Sequence, residues 1–461
     1  MTQKPLNYGG IHINMNMTLK ELFDDVPQEF EGLEFPSHLA TDSRDVIPGG
    51  AFVALEGEKT DGHNYIPQAV KNGAGLIIVR KGKNPGGLNI PVIELENPER
   101  DLAETASRKL KAHNLTDIIA ITGSVGKTTT RAALQKVLAG KFKVHAPERS
   151  FNTLIGCTST IMAMPKETEI LILEFGANKP GEIRELTGYF QPTIAILTAV
   201  APVHLEGFGS IEGVLSEKLE ITHSEILRAI IYNNDNEYLS DSFKYVVKSM
   251  GVGENKDADF VISHDTSEYV LPAMSFVLAH RPTQEIARFT ANIWGRHNAI
   301  PLSIAAATAH ELNISLQESA EVLSDFHALE GRGRVIILDE GRKFLVDDAY
   351  NANPASMTAS LETFSKVKCS GKIAVLGEMR ELGENSAMYH AELSPFLEGI
   401  EHVILVGEIW QEAMKANNDY VYVKTWQEAL EILKNIDEWQ GMLVKGSHSI
   451  GLENIVKEFE S

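Results

Sequence analysis

The segment 117–140 constrains the fold more than any other part of the sequence. The apolar run DIIAI (117–121) leads into the turn TGSVG and then into KTTTRAALQKVLAG, where Gly140 indicates the end of a helix. Backbone N–H groups in such a turn and the positive end of the helix together favour a bound anion. We therefore expect Lys127 to reach terminal phosphates and the hydroxyl of Thr128 to hold Mg²⁺.

This phosphate loop is shorter than the general pattern G-x-x-x-x-G-K-[ST], because Ile121 stands where the first glycine is expected. A tight strand-to-helix turn with a surface lysine is the alternative interpretation. It does not account for three successive threonines at the helix start. The candidate phosphate contacts are the loop and the first turn of the helix, namely Gly123, Ser124, Val125, Gly126, Lys127, Thr128 and Thr129.

Apolar runs of strand length follow, separated mostly by helical patterns. The runs ILILEF (170–175), TIAILT (193–198) and AIIYN (229–233) are continuous rather than alternating, as expected for strands buried on both faces. They predict an α/β fold with a central parallel-sheet domain of phosphate-loop type at residues 114–329. Within it, residues 255–295 alternate in the manner of an antiparallel insertion.

Two flanking regions also carry α/β patterns. Residues 1–113 mix short strands such as AFVAL (51–55) with turn-rich connections and end in a helical run. Residues 330–461 interleave strands such as KIAVLG (372–377) with helical segments, which predicts a second, Rossmann-like α/β unit. The sequence thus predicts three domains, with the boundary near residue 329 resting on the stretch HALEGRGR.

Composition narrows the possible partners. A formal net charge of −21 disfavours nucleic acid and anionic membranes, so a phosphate-bearing ligand needs a local pocket. Two cysteines, Cys157 and Cys369, cannot form a disulfide framework and suit a reducing compartment. Residues 1–16 lack the apolar core of a signal peptide, and no apolar run is long enough for a membrane span. We expect a cytoplasmic protein without membrane insertion.

The shortened loop T-G-x-x-G-K-T-T-T resembles the ATP loop of the Mur ligases and of the folylpolyglutamate synthetases. Other stretches resemble Mur ligase motifs in the same order along nearly the whole chain, although Phe175 replaces a usual Met and Pro301 an expected polar residue. The N-terminal stretch TDSRDVIPGGAFVALEGEKTDGHNY resembles the family's uridine-nucleotide segment, which argues against a folate ligase. The other matching stretches are LEFGANKPGEI (173–183), TAVAPVHLEGFGSIEGVLSEKLEI (198–221), WGRHNAIPLSIAAA (294–307) and VDDAYNANPASM (346–357).

Three blocks point to one branch of the family. YNANPASM, GEMRELG (377–383) and KGS (445–447) resemble the member that adds a dipeptide. The resemblance implies that the chain joins D-alanyl-D-alanine to a UDP-N-acetylmuramoyl-tripeptide in peptidoglycan precursor synthesis, while ATP becomes ADP and phosphate. Alternatives are a Mur ligase that adds one amino acid, a folylpolyglutamate synthetase-like ligase, and a nucleotide switch that ligates nothing. Whether the third residue of the tripeptide is diaminopimelate or lysine stays open.

The resemblance also implies roles for the central residues. Lys127, Glu174, His204 and Lys218 are the expected catalytic residues. A pair of Mg²⁺ ions is expected on Thr128, Glu174, His204 and a carbamylated Lys218. Each residue also has an ordinary interpretation: a strand-end carboxylate, a surface histidine, a solvated helix lysine. Glu206 is expected to be structural.

For the nucleotide, the resemblance implies contacts from Asn298, Arg332 and Asp348, with Arg334 as a competing choice in the repeat EGRGR. Ser447 and His448 are further candidates for contact with the incoming dipeptide. A monomer is expected. The expected substrate contacts are Ser43 and Arg44 for the UDP group, and Asn152, Thr153, Asn353 and Lys445 for the remainder.

Overall fold

The fold is described by a computed structural model that covers residues 18–23, 26–57, 60–244, 246, 248–264, 273–415, 417 and 419–460. Three β-sheets, each with helices packed on it, confirm the α/β prediction and the three-domain architecture. The expectation for residues 1–16 lies outside the described part of the chain. Within that part, no helix is long and apolar enough to cross a membrane.

The N-terminal unit is a small parallel sheet. Its strands lie in the order β1-β2-β3-β4, and every neighbouring pair is parallel. Leu102 and Ala106 on helix α3 share one hydrophobic core with Leu171 and Leu173 of the central sheet, so α3 joins the two units. The elements are β1 (Leu39–Ala40), β2 (Ala51–Val53), β3 (Leu76–Arg80), β4 (Val92–Leu95), α1 (Leu19–Leu22), α2 (Ile66–Lys71) and α3 (Pro98–Ala112).

The central unit contains a long sheet in the order β13-β12-β11-β10-β9-β8-β5-β7-β6. The pairs from β6 to β11 are parallel, whereas β11, β12 and β13 pair antiparallel. The described residues of 255–295 therefore extend this sheet at one edge. The strands are β5 (Asp117–Thr122), β6 (Val144–His145), β7 (Ile170–Glu174), β8 (Ile194–Leu197), β9 (Ala229–Asn233), β10 (Ser249–Gly253), β11 (Phe260–Ser263), β12 (Met274–His280) and β13 (Glu285–Ala291).

Helices cover both faces of this sheet. Helix α10 is apolar on all sides and shares a core with α4 through Leu302 and Leu134, as expected for a fully buried helix. Pro301 fits within its first turn, where a missing N–H costs no hydrogen bond. The helices are α4 (Lys127–Leu138), α5 (Leu154–Met162), α6 (Glu182–Phe190), α7 (Leu205–Phe208), α8 (Ile211–Leu219), α9 (Glu237–Phe243), α10 (Ala299–Glu311) and α11 (Leu316–Leu323).

The C-terminal unit has strands in the order β14-β15-β19-β16-β17-β18, parallel except for the edge pair β14–β15. Alternate residues of β16 enter two cores, Leu376 on one face and Val375 on the other. The elements are β14 (Arg334–Leu338), β15 (Lys343–Asp348), β16 (Lys372–Gly377), β17 (His402–Val406), β18 (Val421–Val423), β19 (Gly441–Lys445), α12 (Pro354–Lys366), α13 (Ser386–Ala391), α14 (Ile409–Ala413), α15 (Trp426–Leu433) and α16 (Glu453–Glu460).

Candidate active site

The phosphate loop lies between the buried strand β5 and helix α4. Gly123 has φ +146° and Gly126 has φ +85°, conformations that other residues rarely adopt. A Cβ atom on Gly123 would overlap Thr198 Oγ1 and lie 2.9 Å from the backbone N of Ala199. Glycine at this position thus lets the loop pass close to the segment that follows β8.

Polar contacts hold the loop against that same segment. Ser124 N donates to Ala199 O at 2.8 Å, and Ala201 N donates to Ser124 Oγ at 3.0 Å. Thr198 Oγ1 donates to Val125 O at 2.5 Å. Sequence reasoning missed Thr198, although its place directly after a buried strand marks the sheet edge where ligands usually bind.

Lys127 is the first residue of α4, and its ammonium donates to the carbonyl oxygen of Gly123. Removal from water lowers the pKa of Lys127 to about 8, and the nearby Glu174 carboxylate opposes that shift. The amine therefore lies inside the loop, at the positive end of the helix, where terminal phosphates of a nucleotide would be bound.

Glu174 ends β7, and its side chain is 0% exposed. One carboxylate oxygen, Oε1, accepts from Arg131 Nε at 2.7 Å; the other, Oε2, accepts from the Thr128 hydroxyl at 3.2 Å. The structure thus brings together the predicted pair Thr128 and Glu174. It adds Arg131, which the motif comparison did not single out.

Lys218 lies on α8 and is buried, with its Nζ 5.7 Å from the centroid of the Phe208 ring. Burial, with a smaller effect from Lys127, lowers the pKa of Lys218 to about 7. The preceding residue, Glu217, accepts from Gly181 N at 2.7 Å and from Ile183 N at 2.6 Å. This carboxylate ties α8 to the start of α6 and fixes the position of the lysine.

His204 precedes α7 in a left-handed conformation, with φ +50°. Its Nδ1 pairs with the carboxylate of Glu381, a residue of the C-terminal unit whose φ is +64°. Leu205 N also donates to Glu381 O at 3.1 Å. Burial holds the pKa of His204 below its usual range, and Glu381 partly offsets this. Strained backbone at both partners is a feature found repeatedly at functional sites.

A large cleft of about 880 Å³ lies beside the phosphate loop. It is lined by the predicted substrate residues Asn152 and Thr153 and by residues of the proposed catalytic region, namely Gly123, Ser124, Lys127, His204 and Lys218. Thr153 also begins α5, because its hydroxyl accepts from Gly156 N at 3.3 Å.

A second cavity of about 320 Å³, the junction cavity, lies between the central and C-terminal units. Asn298 is buried there and donates through Nδ2 to Trp294 O at 2.7 Å. The guanidinium of Arg332 lies 4.0 Å from the centroid of the Tyr350 ring. The cavity is lined by residues of both units, among them Ser124, Val125, Gly126, Thr129, Asn298, Arg332, Asp348, Asn353 and Lys445.

The structure distinguishes the two competing arginines. Arg334 donates to Glu460 at 2.9 Å and to Asp347 at 3.4 Å, so it faces the C-terminal helix. Arg332 lines the junction cavity. Of the two, only Arg332 lies where a nucleotide bound to the phosphate loop would extend.

Lys445 ends β19 and is buried, with its Nζ 2.8 Å from Asp348 Oδ2 and 3.1 Å from Asn351 O. Ser360 Oγ donates to the same Asp348 oxygen at 2.7 Å. Asn353 caps α12, since its side-chain oxygen accepts from the N–H of the third helical residue at 2.9 Å. The structure thus places Lys445 and Asn353 beside the predicted nucleotide residues.

The predicted UDP contacts lie on the N-terminal unit. Ser43 is buried, whereas Arg44 is exposed and pairs with Asp42 at 2.5 Å, a contact that lowers the pKa of Asp42 to about 2. Neither Ser43 nor Arg44 is among the residues that line the two cavities. Arg149 of the central unit reaches Asp45 at 3.3 Å and links the two units.

A third cavity of about 480 Å³ opens at the carboxyl ends of β16 and β17. Glu206 of the central unit lines it together with Arg380 and Glu381. Arg380 donates through its backbone N to Ser447 Oγ at 3.1 Å, and its guanidinium pairs with Glu378 at 2.9 Å. Sequence reasoning did not single out Arg380, although it lies within the block GEMRELG.

The donor set beside the phosphate loop suits a hard cation. A hydroxyl and a carboxylate oxygen, on Thr128 and Glu174, lie 3.2 Å apart, and Mg²⁺ prefers oxygen ligands in a nearly octahedral arrangement with several waters. His204 and Lys218 line the large cleft beside Lys127. The residues present therefore fit a magnesium site.

Comparison with protein families gives three matches in sequence order. Residues 37–116 match the model described as "Mur ligase family, catalytic domain". Residues 121–309 match "Mur ligase middle domain", and residues 332–448 match "Mur ligase, glutamate ligase domain".

Similar individual proteins include a UDP-N-acetylmuramoyl-tripeptide–D-alanyl-D-alanine ligase from Rickettsia prowazekii, 31% identical over 91% of this chain and 94% of that protein. The Escherichia coli protein of the same name is 29% identical over 97% and 99% of the two chains. Among solved structures, MurF from Acinetobacter baumannii has a TM-score of 0.82 and 26% identity, covering 95% of each chain. MurF ligase from Thermotoga maritima in complex with ADP has a TM-score of 0.78 and 26% identity, covering 92% of this chain and 97% of that one.

Proposed function

This chain belongs to the Mur ligase family, and we infer from that membership that it is an ATP-dependent ligase of peptidoglycan precursor synthesis. It joins D-alanyl-D-alanine to the terminal carboxylate of a UDP-N-acetylmuramoyl-tripeptide. Likeness along nearly the whole length to ligases of that name carries this conclusion. The blocks YNANPASM and GEMRELG agree with a dipeptide rather than a single amino acid as the acceptor.

The chemistry explains why the site is rich in cations. A carboxylate is a poor electrophile, so the terminal phosphoryl group of ATP is first transferred to it, giving an acyl phosphate and ADP. The amine of the dipeptide then attacks the acyl carbon, and phosphate leaves through a tetrahedral intermediate. Negative charge develops on oxygen at each stage, and we propose that Lys127 and the N-terminus of α4, which begins at this residue, stabilise it.

We propose that Thr128, Glu174, His204 and Lys218 hold a pair of Mg²⁺ ions. Bound Mg²⁺ would neutralise charge on the phosphate oxygens during transfer. The contact between Thr128 and Glu174 supports one shared ion, and the common cleft of His204 and Lys218 supports the other.

We also propose that Lys218 is carbamylated. Its neutral amine adds to CO₂ and releases a proton, which gives an N-carboxylate with oxygens that bind a metal. A pKa of about 7 supports this, because a large fraction of the amine is then neutral near physiological pH. A spectrum of the protein in ¹³C-bicarbonate should contain a carbamate carbon signal that Lys218→Met lacks. A spectrum without that signal in the wild-type protein would contradict the modification.

For the nucleotide, the junction cavity supports contacts from Asn298, Arg332 and Asp348. For the muramoyl peptide, the large cleft supports contacts from Asn152 and Thr153. Ser43 and Arg44 stay proposals for the UDP group, as do Asn353 and Lys445 for the substrate. We propose domain boundaries at residues 113/114 and 329/330, and a monomeric enzyme in the cytoplasm.

The third cavity supports a place for the incoming dipeptide. It adjoins the His204–Glu381 pair and is lined by Arg380, whose guanidinium suits a carboxylate such as the one that ends D-alanyl-D-alanine. Arg380→Ala should raise the KM for the dipeptide while leaving the KM for ATP nearly unchanged. An equal rise in both constants would argue against this location.

A matrix of ADP-release assays tests the function. UDP-N-acetylmuramoyl-tripeptides ending in diaminopimelate or in lysine are combined with D-alanyl-D-alanine or with single amino acids. We expect ADP release only when one of the UDP-tripeptides and the dipeptide are both present. Release without either substrate would indicate a nucleotide switch. Release with single amino acids in preference to the dipeptide would indicate another ligase of the family.

A further inference from the structure

Arg131 is an unusual residue for its position. It lies on α4, one turn after Thr128, and only 6% of its side chain is exposed. Its Nε donates to Glu174 Oε1 at 2.7 Å, and its Nη1 donates to Gln135 Oε1 at 3.4 Å. A full positive charge is therefore held in the interior against a carboxylate expected to bind a metal ion.

The geometry divides the two oxygens of Glu174. Oε1 accepts a hydrogen bond from Arg131, whereas Oε2 accepts one from the Thr128 hydroxyl at 3.2 Å. Thr128 and Arg131 are three residues apart on one helix, so both side chains lie on the same face of α4. Since Gln135 also accepts from the guanidinium, Arg131 is held in place and keeps Oε2 of Glu174 turned toward the Thr128 hydroxyl.

The positive charge of Arg131 also affects how strongly the site attracts a cation. A buried carboxylate without a partner would attract any divalent cation strongly, but Arg131 already neutralises Glu174 and repels a second cation at close range. Lys127 adds another positive charge to the same site. The residues alone are therefore a poor cation site until the phosphates of a nucleotide bring negative charge.

We propose that Arg131 is a positioning residue that makes divalent-cation binding depend on the nucleotide. It orients Glu174 for one-oxygen coordination and cancels the charge that would otherwise recruit the free cation. The inference rests on the proposed metal role of Glu174 and Thr128, and it concerns the order of binding rather than the ligation step.

The test uses Mn²⁺ in place of Mg²⁺, because its free signal in electron paramagnetic resonance reports binding directly and it accepts the same oxygen ligands. The full-length protein is titrated with Mn²⁺, alone and with ADP, as wild type, Arg131→Gln and Arg131→Lys, and the Mn²⁺ bound by ADP in a titration without protein is subtracted. Glutamine keeps a hydrogen-bond donor near Glu174 without the charge, whereas lysine keeps the charge. Circular dichroism and thermal melts establish that each variant is folded.

We expect wild type and Arg131→Lys to bind Mn²⁺ at least about tenfold more tightly with ADP than without it. In Arg131→Gln, Mn²⁺ affinity without nucleotide should rise by about tenfold, because a nearby positive charge is removed, so that the dependence on ADP shrinks. The matched control is Arg228→Gln, because Arg228 pairs at 2.9 Å with another buried carboxylate, Asp117, which lies at the opposite end of β5 from the phosphate loop. It should change Mn²⁺ binding little.

Unchanged Mn²⁺ affinity in Arg131→Gln, an equal gain in Arg228→Gln, or wild-type binding that is as tight without ADP would each overturn the proposal. So would the absence of Mn²⁺ binding in the presence of ADP. If Arg131→Gln does not fold, Arg131→Lys is the deciding variant. The ammonium of its lysine keeps the positive charge, so Mn²⁺ binding should still depend on ADP. Loss of that dependence would contradict the inference. Substrate-dependent ADP release by the same wild-type preparation shows separately whether the proposed function holds.

Discussion

Glu174 and His204 are both predicted metal ligands, yet the structure holds them in opposite ways. Glu174 is inaccessible to solvent, and its partners Arg131 and Thr128 belong to the same helix of the central unit. The side chain of His204 is 34% exposed, and its partner Glu381 belongs to the C-terminal unit. The position of the Glu174 side chain is therefore determined by the folding of the central unit alone. The position of the His204 side chain depends on how the central and C-terminal units meet.

This difference separates two kinds of dependence. Residues set within one unit keep their geometry whether or not the units move. Residues completed across a junction acquire their geometry only when the units are together, which allows closure to exclude water from the acyl phosphate. Substitutions of residues positioned within one unit should affect chemistry and stability. Substitutions of residues positioned across the junction should affect substrate dependence.

Lys127→Ala should have the largest effect of all, because the ammonium of Lys127 lies inside the phosphate loop, where terminal phosphates would be bound. We expect turnover to fall by about 10³-fold or more, with the fold retained since the side chain contributes no core packing. ADP release measured beside a thermal melt checks both statements. Near-normal turnover would show that the loop does not hold the reacting phosphate.

Glu174→Gln should destabilise the central unit, because it leaves the guanidinium of Arg131 buried without a counter-ion. We expect the free energy of unfolding to fall by about 3–5 kcal/mol, measured by urea denaturation. Asp45→Asn breaks the exposed pair with Arg149 and serves as the control, with an expected change within about 1 kcal/mol. Equal effects of the two substitutions would erase the contrast between buried and exposed partners.

The sequence predicted the residues positioned within one unit better than those positioned across the junction between units. Gly123, Lys127, Thr128 and Glu174 lie on one strand–loop–helix unit and its neighbouring strand, where local pattern and sheet topology determine position. The same reasoning predicted most strands, since continuous apolar runs mark strands buried on both faces. Short edge strands such as β18 carry too few residues for such a signal.

Contacts across units could not be predicted from the sequence, because they depend on how separate surfaces meet. The pairing of His204 with Glu381 joins two units, and no spacing in the sequence indicates it. The pair Lys445–Asp348 lies within the C-terminal unit, on the neighbouring strands β19 and β15, but its residues are also far apart in the chain. The choice between Arg332 and Arg334 is similar. Both have the same chemistry, and only the position of the C-terminal helix, through Glu460, separates them.

Arg332→Ala tests the junction on the nucleotide side. We expect the KM for ATP to rise by about 10- to 100-fold, because a guanidinium beside the phosphate loop is lost at the edge of the junction cavity. Arg334→Ala removes the same chemical group two residues away and should change the KM for ATP by less than about twofold. The reverse order of effects would place the nucleotide on the other side of β14.

Glu381→Gln is the mildest test and concerns the junction alone. The pair with His204 is partly exposed, so unfolding free energy should change by less than about 1 kcal/mol. The charged acceptor beside Nδ1 of His204 is nevertheless lost, and a carboxylate that orients a metal-binding histidine is usually worth about tenfold in metal affinity or activity. We therefore expect turnover to fall by about tenfold at low Mg²⁺ and to recover partly as Mg²⁺ is raised. Glu384→Gln, three residues away and outside the pair, is the control. A loss that Mg²⁺ does not relieve would mean that Glu381 positions the C-terminal unit rather than the histidine.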